Sequence, residues 1–372
     1  MLRSKPNLPS TRLLLPFLFT AILSMTSPAI GANSSHLDDV TYPFIEVAHT
    51  LPRLRSLLVS VDGELVEERY FNGARSTEWA NLKSASKSIL STLVGIAVDR
   101  GHLKISDPII KFLPEHLDAI TDPAKKRITI EDLLTMRSGL ESTSNVNYGR
   151  WVASDNWVRH ILTRPLVDQP GGAMIYSTGN SHLLSAILTK ATKMSTFEFA
   201  RRYLADPLGI ALRPWIRDPQ GIYLGGNDMH LTPRAMLKYG ELYLNCGRVR
   251  EKQIISEHWI SETLKPRTQS NWSGREYGYG WWIDHLSGHT TEYAWGHGGQ
   301  FIFTVPSLKL VAVTTSVPSP GEGRREHQRT IYDLMERHLI PAAERKQLAA
   351  TSSEKPQRSS ARPVEEKNLF AD

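Results

Sequence analysis

A serine and a lysine three residues apart, Ser84 and Lys87, stand at the head of a very apolar helical stretch, and this pairing constrains the fold more than any other feature of the chain. The stretch runs Ile89, Leu90, Leu93, Val94, Ile96, Ala97 and Val98, and stops at Gly101, a residue suited to the left-handed conformation that ends helices. Apolar side chains nearly all round place such a helix in the interior. Ser84 and Lys87 then share one face of its first turn, because positions three apart on a helix are neighbours. A lysine held against a buried helix loses water, its pKa falls, and the neutral amine can take a proton from an adjacent hydroxyl. The alternative reading of the pair is helix capping by Ser84 beside a solvated lysine. The same spacing recurs at Ser352 and Lys355, but in a polar stretch with no apolar run behind it.

Ahead of this region, Arg3, Lys5 and Arg12 precede an apolar run from Leu13 to Met25 and small residues around Ala29, Gly31 and Ala32. That layout predicts a secretory signal peptide over residues 1–32, and hence a periplasmic or secreted protein. An uncleaved N-terminal anchor is the alternative, although Pro16 interrupts a run already short for a membrane span. After cleavage no stable membrane association is expected. The 372 residues carry 44 Lys and Arg against 38 Asp and Glu, a net charge of +6, and three of the basic residues lie in the export signal. No basic stripe with interleaved aromatics is present, so no nucleic-acid partner is expected. Cys246 is the single cysteine, which rules out an internal disulfide and leaves no lipoprotein cysteine after the apolar run.

The organisation expected from the chain is a linker over 33–44, one domain over 45–342 and a polar, disordered tail over 343–372. Two apolar runs, Leu57–Val61 and Leu65–Phe71, flank Asp62-Gly63-Glu64 and read as a β-hairpin. A mainly helical insertion follows over about residues 105–275. Within it Thr129-Ile130-Glu131-Asp132 resembles a capping box, Ser181–Thr192 shows one apolar face, and Thr232-Pro233 opens another helix. Strands return at Tyr279–Ile283, Phe301–Val305 and Leu310–Thr315, before a closing helix over Glu326–Leu339. Strands at both ends and helices between them predict an α/β (α+β) architecture, one antiparallel sheet flanked by helices that pairs the first hairpin with the late strands.

In this order the chain resembles the serine β-lactamase and penicillin-binding-protein superfamily, in particular the branch of class C β-lactamases, D-aminopeptidases, family VIII esterases and 6-aminohexanoate-dimer hydrolase. The resemblance covers about Leu54 to Leu339 and is carried by Ser84-Ala85-Ser86-Lys87, Leu133 to Leu140, Pro170-Gly171, Tyr176-Ser177-Thr178 and Gly296-His297-Gly298-Gly299-Gln300. It implies that Ser84 is the acylated nucleophile, that Lys87 shares its proton, and that Tyr176 acts with the lysine and then donates to the leaving group. It further implies that His297-Gly298-Gly299 edges the site, with glycines open to close approach by substrate. The backbone N–H groups of Ser84 and Gln300 would form the oxyanion hole. Read without the family, Tyr176 is better taken as a core tyrosine before a helix, and Gly296–Gly299 as a glycine-rich turn before a strand.

Two departures from the family pattern bear on substrate. His297 replaces a lysine, so a positive charge there fades as the imidazole deprotonates, and Thr178 replaces an asparagine, with Asn180 nearby. The expected function is cleavage of a small-molecule amide or ester through an acyl-enzyme, with no metal and no cofactor. A β-lactamase or DD-peptidase is the first alternative, and a non-catalytic binder of cell-wall fragments the second. The α/β-hydrolase G-x-S-x-G, H-E-x-x-H and phosphate-loop patterns are absent, and His160, His182 and His230 read as helix or loop residues. Trp281 and Trp282 point to opposite faces if they lie on a strand, so at most one lines a pocket; Trp151 and Trp157 fit either a pocket wall or plain packing. Nothing in the sequence sets the oligomeric state.

Overall fold

The computed structural model describes residues 43–353. The expected signal peptide, the linker up to residue 42 and the tail beyond Ser353 lie outside the described residues. The hairpin forms as expected from β1 (Leu54–Val61) and β2 (Glu64–Tyr70), and Asp62 and Gly63 close it with φ of 54° and 78°, the left-handed pair that a two-residue hairpin turn requires.

The remaining strands of the sheet are β3 (Thr268–Gln269), β4 (Glu276–Tyr277), β5 (Trp282–Leu286), β6 (His289–Gly296), β7 (Gln300–Val305) and β8 (Leu310–Ser316). They pair in the order β2-β1-β8-β7-β6-β5-β4-β3, antiparallel throughout, so the first hairpin joins the late strands as predicted. The sheet resumes at Thr268, inside the stretch assigned to the insertion. The strand expected at Tyr279 begins only at Trp282, because the preceding residues bend toward the buried helix, where Gly280 O accepts from Ser88 Oγ at 2.7 Å. Strand β6 has no sequence forecast: its first half, His289-Thr290-Thr291-Glu292, is polar.

The helices of the described residues include α1 (Pro43–His49), α2 (Ser86–Asp99), α3 (Ile130–Leu134), α4 (Thr178–Thr192), α5 (Pro233–Leu244), α6 (Arg324–Leu334) and α7 (Ile340–Ser353). Alternate strand residues divide the core. Leu58, Ala294, Ile302, Val311 and Val313 pack with α2, α4 and α5, whereas Leu57, Phe301, Phe303, Leu310 and Ala312 pack with α1, α6 and the start of α7. Both faces are therefore covered, which is why β7 and β8 are buried along their whole length. Helix α2 is buried from Ser86 to Ala97, as its composition demanded. Residues 343–353 correct the expectation of disorder: α7 continues through them to Ser353, anchored by the buried Ile340 and Ala343.

Gly240 lets α5 lie close on the sheet, since a Cβ there would fall 2.5 Å from Val311 Cγ1 and 3.0 Å from Ile302 Cγ2. Gly240→Ala gains about 1 kcal/mol of helix propensity. Overpacking against stiff β-branched side chains costs about 1–3 kcal/mol and outweighs that gain. Thermal unfolding is expected to shift to lower temperature, and an unchanged or raised Tm would contradict the packing.

Candidate active site

Ser84 lies on a single 3-10 turn, Lys83–Ala85, between α2 and a two-stranded ribbon that pairs Ala80–Asn81 with His230–Leu231. Lys83 has φ +49°, a left-handed conformation that costs a residue with a Cβ about 1–2 kcal/mol. The surroundings hold it there. Lys83 N donates to Asn81 Oδ1 at 2.9 Å, Ser86 Oγ donates to Lys83 O at 2.7 Å, and Leu82 N donates to Met229 O at 2.8 Å. The sharp turn leaves Ser84 half-buried while Ala85 and the helix behind it are buried.

Lys87 is 3% exposed, and desolvation alone brings its amine down to about 7. Its Nζ lies 2.7 Å from Gly226 O, 3.1 Å from Ser84 Oγ and 3.3 Å from Thr178 Oγ1. A neutral amine has two hydrogens and one lone pair. Gly226 O only accepts, and the Thr178 hydroxyl can accept, so the lone pair is left for the Ser84 hydroxyl. The Gly226 carbonyl reaches this position because the residue is glycine at φ +73°, where a Cβ would sit 2.6 Å from Lys87 Cγ and from Ser181 Cβ. Sequence reasoning did not find Gly226; its only trace is the Gly225-Gly226 pair.

Tyr176 comes from the segment just before α4, and its ring centroid lies 5.1 Å from Lys87 Nζ. Burial pushes the phenol up to about 12, partly offset by a hydrogen bond with Ser84. It stays protonated at any ordinary pH and is fitted to donate. Trp282 stacks on it with centroids 6.0 Å apart and 22° between planes. The expectation that at most one of the two adjacent tryptophans faces a pocket holds: Trp281 turns away to pack on Tyr239 and Tyr243. Trp151 and Trp157 are packing residues, buried around His182, which pairs with Asp218 at 3.0 Å.

Thr178 stands directly at the amine and is tied to Ser144, whose Oγ lies 3.0 Å from Thr178 Oγ1 and accepts from Thr178 N at 2.8 Å. Ser144 also escaped sequence reasoning, since a lone serine in a loop carries no signal. Asn180 does not take over the asparagine role; its Oδ1 accepts from Ser138 Oγ at 3.0 Å.

Residues 297–299 form the turn between β6 and β7. Gly296 presses this turn against the nucleophile segment, where a Cβ would be 2.0 Å from Leu82 O. At Gly298 and Gly299 the space that a side chain would take is filled by the protein itself. A Cβ on Gly298 would meet Pro318 and Val317, and one on Gly299 would meet Ser316 and His327. Gly299 O accepts from Thr314 Oγ1 at 3.0 Å and Ser316 Oγ at 3.1 Å. In a trans peptide the next N–H points the opposite way, so that of Gln300 faces away from β8. The Gln300 side chain is not in the site: Nε2 donates to Ser316 O at 2.7 Å. His297 is exposed, and its pKa is lowered by desolvation and by the nearby Arg324, Lys83 and Arg53. At neutral pH it is uncharged, and those three cations supply the positive field.

The family model described as Beta-lactamase matches residues 55–334. The 6-aminohexanoate-dimer hydrolase of Paenarthrobacter ureafaciens is 23% identical over 222 residues, 56% of this chain and 56% of that protein. Esterase EstB of Burkholderia gladioli is 30% identical over 144 residues, 35% of this chain and 36% of that one. The chain thus spans about half or less of the length of these two curated relatives. Among solved structures, EstCE1, a hydrolase with promiscuous acyltransferase activity, has a TM-score of 0.64 at 17% identity, covering 78% of this chain and 97% of that one. A penicillin binding protein from Bacillus halodurans gives 0.62 at 15% identity, with 78% and 99% covered. These likenesses establish the fold, and the family match spans nearly all of the sheet together with the helical region: this chain belongs to the beta-lactamase family of hydrolytic proteins.

Proposed function

We propose that the chain is an exported serine hydrolase that cleaves a small amide or ester through an acyl-enzyme on Ser84. One observation carries the reading: a desolvated amine at Lys87 with its lone pair left for the Ser84 hydroxyl. Export is supported by the signal-like layout of residues 1–32.

Ser84 Oγ attacks the carbonyl carbon as its proton passes to the Lys87 amine. Charge that develops on the carbonyl oxygen is met by the backbone N–H groups of Ser84 and Gln300. The C–N or C–O bond then breaks, with the Tyr176 phenol giving its proton to the departing amine or alcohol and being recharged from Lys87. Water attacks the ester of Ser84 by the reverse relay and frees the acid. With the phenol near 12 and the amine near 7, the two groups divide the work: the amine is the base and the phenol the donor.

Ser84→Ala is expected to lower kcat on an ester substrate by on the order of 10⁴-fold and to abolish labelling by a fluorophosphonate. Labelling that persists in this variant would refute the nucleophile. Only the neutral amine accepts a proton, so kcat/KM should rise about tenfold per pH unit up to about 7 and then level off. A profile flat from pH 5 to 9 would remove Lys87 as the base.

A second reading, a β-lactamase or DD-peptidase, is favoured by the cations Arg53, Lys83 and Arg324 around His297, which suit a substrate carboxylate. Nitrocefin turnover weakened by Lys83→Ala would establish it. Ester hydrolysis with no nitrocefin turnover would exclude its β-lactamase form.

A further inference from the structure

We infer that Trp272 forms a platform for an aromatic ring on the leaving-group side of the substrate, an inference that rests on the acyl-enzyme reading above. Trp272 is 60% exposed and is the only aromatic among the exposed large apolar side chains of the described residues. Its position is fixed. Its ring contacts Trp282 at 5.6 Å and Trp295 at 5.8 Å, and these two contact each other at 5.7 Å.

The loop beneath it is equally held. Ser270 N donates to Arg275 O at 2.9 Å, Gly274 N to Ser270 O at 2.8 Å, and Gln269 Nε2 to Gly274 O at 2.6 Å. Trp272 is therefore a preorganised face rather than a mobile tip. Trp282 is 2% exposed and has no surface to offer, but it links the platform to the chemistry, since it also stacks on Tyr176.

The chain of rings runs Trp272, Trp282, Tyr176, and the Tyr176 phenol lies beside Ser84. That order selects the side of the substrate. The phenol gives its proton to the departing atom, so the departing group lies beside Tyr176, and what extends from it by a few bonds comes under Trp272. A flat, uncharged partner suits an indole through offset or edge-on contact. A cationic partner is disfavoured, because Arg53, Lys83 and Arg324 give this end of the sheet a positive field. The class assigned is an ester or amide of an aryl-bearing alcohol or amine.

Three acyl esters separate the possibilities: ethyl acetate, 2-phenylethyl acetate, with the ring on the leaving group, and ethyl 3-phenylpropanoate, with the ring on the acyl group. Wild-type enzyme is expected to favour 2-phenylethyl acetate over ethyl acetate by about tenfold in kcat/KM. Trp272→Ala should bring the ratio of the two acetate rates close to one, and Trp272→Phe should keep the preference. Equal rates for the two acetates, a preference untouched by Trp272→Ala, or a preference only for the phenylpropanoate would overturn the platform and leave the hydrolase reading standing. A binding measurement independent of turnover uses the Ser84→Ala protein and N-(2-phenylethyl)acetamide, followed by titration calorimetry. Saturable binding lost in Ser84→Ala/Trp272→Ala supports the platform even if no ester is cleaved, and no saturable binding, or binding that survives the second substitution, refutes it.

Discussion

The site depends on one amine deprived of water and given no counter-ion. A lysine 3% exposed with an acidic partner would stay charged, whereas Lys87 meets only a carbonyl and two hydroxyls, and its pKa falls to about 7 for lack of solvation. Much of the surrounding architecture supplies those three oxygens from separated parts of the chain. Ser84 comes from the turn before α2, Thr178 from the first residue of α4, and Gly226 from the loop ahead of the ribbon. The helix that carries the amine must be buried for the desolvation to work, and its apolar composition ensures that it is.

Holding a reactive hydroxyl beside that amine requires a sharp turn in an otherwise well-packed region. The left-handed Lys83 and the bonds from Asn81, Ser86 and Met229 achieve it, and the ribbon locks the nucleophile segment to the loop that carries Gly226. Strain at such a residue persists because its neighbours overdetermine it. On the other side, the β6–β7 turn is pressed against Leu82 by Gly296 and braced from behind by Thr314, Ser316 and His327. Burial brings His327 down to about 4, so this brace is uncharged, and the cations near the turn are Arg53, Lys83 and Arg324.

Much of the fold was legible because the strong sequence signals are local. The Asp-Gly turn gave the first hairpin, the capping residues Thr129 and Thr232 marked helix starts, and uninterrupted apolar runs marked β7 and β8. Strand β6 was hidden because its polar first half carries no alternation, and only pairing with β5 and β7 makes it a strand. The extension of α7 was hidden for a related reason: a polar helix is stabilised by a few anchors, Ile340 and Ala343, whose burial depends on the far face of the sheet.

The site divides along the same line. By itself the sequence determined the helix that buries Lys87, the presence of Ser84 one turn away, and the rule that only one of Trp281 and Trp282 could face the chemistry, since spacing within one element follows from backbone geometry. Only the tertiary structure decided that Gly226 rather than a carboxylate faces the amine, that Thr178 and not Asn180 stands beside it, that Gly298 and Gly299 serve internal packing, and that Trp272 reaches the Tyr176 stack. The contacts at the amine join residues far apart in the chain, Lys87 with Thr178 at a separation of 91 and with Gly226 at 139. No local periodicity encodes such a meeting, because it is set by how the helical region packs on the sheet.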